Sequence, residues 1–173
     1  KIGLLGEWDV ARRIDLNGSD PTISPYAKAG GVELRITASN EDRKKLNESL
    51  ERGVAKVKEA FGPLLITSED KSKEEILIDE LKQRGEYISA AESITGGLVV
   101  SSIIGVSGAS DVLKESYITY SNDVKHKILN VSYETIDKYD VVSPEVAYEM
   151  LDGLIEKTSS DLCLATTGYA HLG

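Results

Sequence analysis

Three short stretches carry side chains that could do chemistry. The first is Glu92-Ser93-Ile94-Thr95-Gly96-Gly97. A strand that feeds a turn of Ser, Thr and Gly and then a helix presents backbone N–H groups at the helix start. Glycines let a ligand approach that backbone closely, so the turn suits a phosphate or a developing oxyanion. It is equally the form of an ordinary strand–helix turn capped by Thr95. The second stretch is Tyr120-Ser121-Asn122-Asp123-Val124-Lys125. A lysine one turn into a helix can point back to the edge of a sheet. Desolvated there, it gives up its proton readily enough to serve as base for a serine. Otherwise Lys125 is a solvated helix lysine like Lys127. The third is Thr166-Thr167-Gly168-Tyr169-Ala170-His171, whose histidine could be a ligand, an acid–base group or neither. Glu92 could orient a substrate hydroxyl or Lys125, or stand on the surface.

These stretches act together only if the fold brings them to one edge. Tyr87 to Ala91, Ser116 to Tyr120 and Asp161 to Thr167 read as the strands that lead into them. Helices alternate with these strands. One opens on the capping box Ser72-x-x-Glu75 and runs to Gln83 or Arg84, before Gly85. An apolar helix follows Gly97 and ends near Gly105. Another runs from an Asn122 cap to Leu129. A fourth starts at Ser143-Pro144 and reaches Thr158, with Ala147, Met150, Leu151 and Leu154 on one side. The alternation predicts a layered α/β sheet with all three stretches at its C-terminal edge.

The first part of the chain reads differently. Glu7 to Leu16 could be a short helix, and Asn17-Gly18-Ser19-Asp20-Pro21 a turn or linker. Val32 to Thr37 alternates strictly, as a half-buried strand does. Asn40 can cap a helix whose Leu46, Leu50, Val54, Val57 and Phe61 share one face, ended by Gly62-Pro63. Leu64 to Thr67 reads as a second strand. Trp8 and Phe61 read as packing residues. The pattern is a small α+β module.

Charge supports this division. The 173 residues carry 20 basic and 29 acidic side chains, a net of −9; residues 1–70 hold 11 and 12 of them, residues 71–173 the remaining 9 and 17. A boundary is expected at the polar stretch Glu69-Asp70-Lys71-Ser72. An acidic chain is a poor match for a phosphate polymer, and the first part has no RNA-clamping Gly-x-x-Gly loop between helices, so general nucleic-acid binding is not expected. The single cysteine, Cys163, cannot form an internal disulfide, and with two histidines it makes a poor metal site. No apolar run is long enough to span a bilayer, and no basic-then-apolar leader is visible, so a cytoplasmic, globular protein is expected. The chain begins at Lys1 and stops after a strand-like run, as a fragment would.

Taken in order, these motifs resemble the competence/damage-inducible CinA family. The resemblance rests on Glu92 to Gly97, Tyr120-Ser121-Asn122-x-x-Lys125, Val142-Ser143-Pro144-Glu145-Val146-Ala147 and Thr167-Gly168-x-Ala170. Upstream, Asp20 to Lys28 followed by a Val-x-Leu-Arg strand resembles the family's KH-like middle module. The resemblance implies three parts: a tail of a further N-terminal domain or a linker over 1–18, a KH-like α+β module over 19–70, and an α/β domain over 71–173. The last would be a three-layer α/β/α fold with a mixed sheet, incomplete at its C-terminus.

The family's activity is hydrolysis of nicotinamide mononucleotide to nicotinate mononucleotide and ammonia. Carried over, it makes Ser93 the nucleophile and Lys125 its base, with Tyr120 sharing the proton. Glu92, Thr95, Gly96, Gly97, Asn122, Thr167 and Gly168 would bind the substrate. A Ser–Lys pair performs acyl transfer without metal or cofactor. The implied partners are the small nucleotide substrate and a second copy in a homodimer. Two departures stand out: Ile94 replaces the family's usual Cys, and Tyr169 and His171 replace Ile and Gly in the loop after the last strand. If those side chains fill the pocket, the rival reading is a catalytically inactive nucleotide-binding or dimer-assembly module.

Overall fold

The alternating run around Val32 forms the centre of the first of two units. The computed structural model describes residues 1–28 and 30–170, and its backbone divides into Lys1–Lys71 and Ser72–Gly173. In the first unit, β2 (Thr22–Lys28) pairs antiparallel with β3 (Gly31–Thr37), and β1 (Ile2–Gly3) lies on the other side of β3. Pro25 is tolerated because β2 is an edge strand, where a missing N–H breaks no ladder on the open side. That proline hid β2 from the sequence pattern.

Helix α1 (Glu7–Arg13) and helix α2 (Arg43–Phe61) complete the unit. Val10, Ile14, Ile23, Val32, Val57 and Phe61 form its core with Ile2. Residues 1–18 therefore do not stand apart as a tail or linker: Ile2, Val10 and Ile14 are buried in this core. Trp8, expected to pack, is 69% exposed with the Arg12 guanidinium over its ring. Asp42, rather than Asn40, caps α2, its carboxylate accepting from Lys44 N–H at 2.8 Å. Leu64 to Thr67 is no strand. A 3-10 turn spans Gly62–Leu64, Leu65 makes an isolated bridge to Ile2, and Lys1 accepts from Ile66 N–H at 2.9 Å and donates its amino group to the Thr67 carbonyl at 2.7 Å, too short a pairing to count as a strand.

In the second unit, β4 (Ile88–Glu92) lies between β5 (Tyr117–Ile118) and β6 (Leu162–Thr166), and both pairings are parallel. Strand β4 is buried on both faces. Ile88 packs with Ile78, Leu81, Ile103 and Val112, which come from α3 (Lys73–Arg84), α4 (Leu98–Ile104) and the turn before β5. Three residues on, hence on the opposite face, Ala91 packs with Leu129, Ile136, Val146, Met150 and Leu154. These belong to α5 (Asn122–Leu129), α6 (Tyr133–Tyr139) and α7 (Pro144–Thr158). The result is the expected three-layer α/β/α arrangement, but the sheet is parallel rather than mixed among the described residues.

Local signals explain most boundaries. Ser72 and Glu75 close their capping box, and Gly85 ends α3 with φ +65°. Ser143 caps α7 with Pro144 first in the helix. Strand β5 is shorter than read, because the Ser116 hydroxyl takes the Ala90 N–H at 2.9 Å in place of a ladder carbonyl. Among the described residues no helix is long and apolar enough to cross a membrane.

Candidate active site

Ser93 follows the last residue of β4, at the C-terminal edge of the sheet, and is 6% exposed. Its position is fixed from β6: Ser93 N–H donates to the Thr166 carbonyl at 3.0 Å, with the Thr166 hydroxyl at 3.3 Å. Ser121, one residue before the expected Asn122, caps α5 by accepting from Val124 N–H. The first turn of α5 then carries Lys125 inward, fully buried.

Lys125 Nζ lies 2.9 Å from Ser93 Oγ, 2.9 Å from the Thr119 carbonyl and 2.8 Å from the Tyr120 carbonyl. Burial pushes the Lys125 pKa below its ordinary 10.5. Nζ donates to all three partners in this geometry, and the hydroxyl among them also accommodates the neutral amine. Two are carbonyls, which only accept, and the third is a hydroxyl, which can donate. A neutral amine offers two N–H groups to the carbonyls and one lone pair to the Ser93 proton. Buried in this way, the lysine is poised to act as a base.

Glu92 is neither a surface carboxylate nor a partner of Lys125. It is fully buried and turned to the other side of the strand. Oε2 accepts from Gly97 N–H at 2.9 Å and Val99 N–H at 3.1 Å, and Oε1 accepts from Val100 N–H at 2.8 Å. Burial alone would raise its pKa. The bonds from the Thr95 hydroxyl and from the Val100, Val99 and Gly97 amides outweigh it and hold the carboxyl below the usual range.

The carboxylate thus caps the first turn of α4, and this corrects two expectations. Glu92 does not line the cavity at Ser93 and Lys125. The Gly97 amide is committed to Glu92 and the Gly96 amide to the Ser93 carbonyl, at 3.2 Å, so neither is open to an anion. The Thr95 hydroxyl is shared with that of Thr166 at 2.7 Å. Gly96 and Gly97 have φ of +58° and +102°, a turn that glycine adopts without strain.

A cavity of about 370 Å³ opens on Ser93 and Lys125, walled by Tyr120 and Asn122, by Val141 and Val142, and by Thr167 to Ala170. A hollow of about 410 Å³ in the first unit holds no comparable nucleophile–base pair. Tyr120 supplies its carbonyl to Lys125 while its ring, 71% exposed, stands at the cavity rim; its phenol is therefore not placed to share the proton. Thr167 donates its hydroxyl to the Val141 carbonyl at 2.9 Å. Ile94 packs on Gly168, where an added Cβ would sit 3.3 Å from its side chain. Tyr169 leaves the cavity open: it is 63% exposed and its hydroxyl donates to Asp140 at 2.6 Å. His171 lies outside the described residues. Asp140, Val141 and Val142 were not foreseen, because helix α6 before them is seven residues long and weakly patterned. Thr166, the first residue of the third stretch, holds Ser93 and Thr95 rather than lining the cavity.

Fold and site together define an α/β protein with a buried serine–lysine pair at the C-terminal edge of a parallel sheet. The chain belongs to the CinA family. The family model for the CinA C-terminal domain matches residues 70–171, and that for the damage-inducible protein CinA KH domain matches residues 2–67. A CinA-like protein of Kosmotoga olearia is 44% identical over 155 residues, 89% of this chain and 37% of that protein. A CinA-like protein of Prochlorococcus marinus is 40% identical over 172 residues, 98% of this chain and 41% of that protein. The crystal structure of competence/damage-inducible protein CihA from Agrobacterium tumefaciens superposes with a TM-score of 0.56 at 32% identity, covering 58% of this chain and 61% of that one. The chain spans about two-fifths of the length of the curated relatives it matches.

Proposed function

We propose that the second unit is an amidohydrolase that converts nicotinamide mononucleotide to nicotinate mononucleotide and ammonia. The observation that carries the chemistry is the 2.9 Å contact between Ser93 Oγ and a buried Lys125 Nζ whose other two neighbours are carbonyls. Lys125 takes the Ser93 proton as Oγ attacks the amide carbon. The resulting ammonium of Lys125 returns that proton to the amide nitrogen, the C–N bond breaks, and ammonia leaves a Ser93 ester. Lys125 then deprotonates a water that attacks the ester, and the proton passes back to Ser93 as the acid departs. The choice of substrate follows family membership, and Asn122, Thr167 and Gly168 are its proposed contacts.

The test is ammonia release from nicotinamide mononucleotide by wild type, Ser93→Ala and Lys125→Ala. Loss of turnover in both variants is expected; unchanged turnover in either refutes its role. One observation favours a second reading, a nucleotide-binding or dimer-assembly module without turnover. The amides of Gly96 and Gly97, best placed to hold an oxyanion, are already engaged. Calorimetric binding of the nucleotide with no ammonia from wild type would select that reading.

A further inference from the structure

Two chain segments meet along one wall of the cavity, and two hydrogen bonds join them. The inner bond, half-buried, runs from the Thr167 hydroxyl to the Val141 carbonyl at 2.9 Å. The outer bond, in solvent, runs from the Tyr169 hydroxyl to Asp140 Oδ2 at 2.6 Å. Asp140 is built to hold this place. It has φ +71° and ψ 155°, a region that a residue with a Cβ occupies only when its surroundings impose it. Its N–H donates to the Ile136 carbonyl at 2.9 Å, its carbonyl accepts from the Ser143 hydroxyl at 2.8 Å, and its Oδ1 accepts from Val141 N–H. The carboxylate is thereby aimed at Tyr169, while Val141 and Val142 are turned into the cavity wall.

We propose that Asp140 and Tyr169 form a gate that sets how large an acyl group reaches Ser93, and so determine the specificity of the site. The cavity, at about 370 Å³, is near the small end for a ligand pocket, so the position of one wall decides which substituents enter. The inner bond acts as the hinge. The outer bond competes with water and is the one that opens. The partners respond to each other as a carboxylate and a neutral phenol should: the bond holds the Asp140 carboxyl low and pushes the Tyr169 phenol up.

The inference rests on Ser93 being nucleophilic, and its test reads that separately. Ser93 is titrated with methanesulfonyl fluoride and with phenylmethanesulfonyl fluoride. In each case Oγ bonds to sulfur, fluoride leaves, and the hydroxyl proton passes to Lys125. Mass mapping of the modified peptide gives the two rates. Tyr169→Phe keeps the ring and removes only the hydroxyl; Asp140→Ala removes its acceptor. Each is expected to raise the ratio of phenyl to methyl labelling about fivefold, the size of one lost hydrogen bond. The double variant should go no further, because both changes open one contact. Asp140→Asn can keep the Val141 N–H on its Oδ1 and donate its amide to the Tyr169 oxygen, so it should stay near wild type. Labelling of Ser93 with an unchanged ratio in both single variants, or effects that add, overturns the gate alone. No labelling of Ser93 in any protein overturns the nucleophile and the gate with it.

Discussion

Glu92 offers the sharpest separation between a structural and a chemical role. In Glu92→Ala the amides of Gly97, Val99 and Val100 lose their acceptor. Hydrogen bonds to a charged acceptor are worth about 1.5–3 kcal/mol each when buried; these amides are half-buried, so about 1 kcal/mol each is appropriate, or about 3 kcal/mol in all. Glu92→Gln is graded. Its carbonyl oxygen can take the Oε2 position and keep the Gly97 and Val99 bonds, but its NH₂ then faces the Val100 N–H. One bond is lost and two donors oppose each other, about 1–2 kcal/mol.

For a unit of this size 1 kcal/mol corresponds to about 4–8 °C, so Glu92→Ala should melt at least 12 °C below wild type and Glu92→Gln about 4–16 °C below. Trp8, the only tryptophan, lies in the first unit, and its fluorescence serves as an internal control that should not move. Far-UV circular dichroism reports the helices of both units, so the part of its transition that shifts while Trp8 fluorescence holds belongs to the second unit. The pH dependence has a definite sign. The folded carboxyl is held below its ordinary value, so its contribution is present above the ordinary carboxylate range and is lost as pH falls through the folded pKa. A Glu92→Gln protein that melts with wild type yet has lost turnover would refute this reasoning and return Glu92 to the substrate.

Two glycines make further predictions. Gly153→Ala would place a Cβ 1.9 Å from the Leu129 carbonyl oxygen, where α7 crosses the end of α5; backbone cannot step aside, and a loss of at least about 3 kcal/mol in urea unfolding of the second unit is expected. Gly53→Ala meets the Ile36 side chain at 2.6 Å and Pro21 at 3.0 Å, and side chains yield more easily. A loss of about 1–2 kcal/mol, seen by Trp8 fluorescence, is expected there; equal losses at the two sites would contradict the distinction.

Much of this architecture is legible where the determinant is local. Ser72 with Glu75, and Ser143 with Pro144, announce helix starts because the side chains that satisfy the first amides lie within three residues of them. Ser93 and Lys125 are found as a candidate pair because each sits at a strand–helix junction, and parallel topology brings such junctions to one edge. What is hidden depends on distant partners. Nothing next to Glu92 says that its carboxylate turns away from Ser93 to cap α4. Strand β2 is concealed by Pro25, which only an edge position permits. Leu64 to Thr67 has the composition of a strand but meets a partner of two residues. The wall formed by Asp140 to Val142 depends on contacts with Thr167 and Tyr169, more than 25 positions away.

The central claim is that burial lowers the Lys125 pKa and that its deprotonated amine draws the proton from Ser93. The most direct measurement is an NMR titration of ¹³Cε-labelled lysines beside the pH dependence of kcat/KM for nicotinamide mononucleotide. One lysine resonance, absent from Lys125→Arg, should titrate below the ordinary 10.5. Its midpoint should coincide with the rising limb of the rate, since the deprotonated form is the active one. Stability should rise over the same window, from the folded pKa up to 10.5, because there the unfolded chain binds the extra proton. A Lys125 resonance that titrates with the surface lysines, or a rate that does not follow it, would contradict the account.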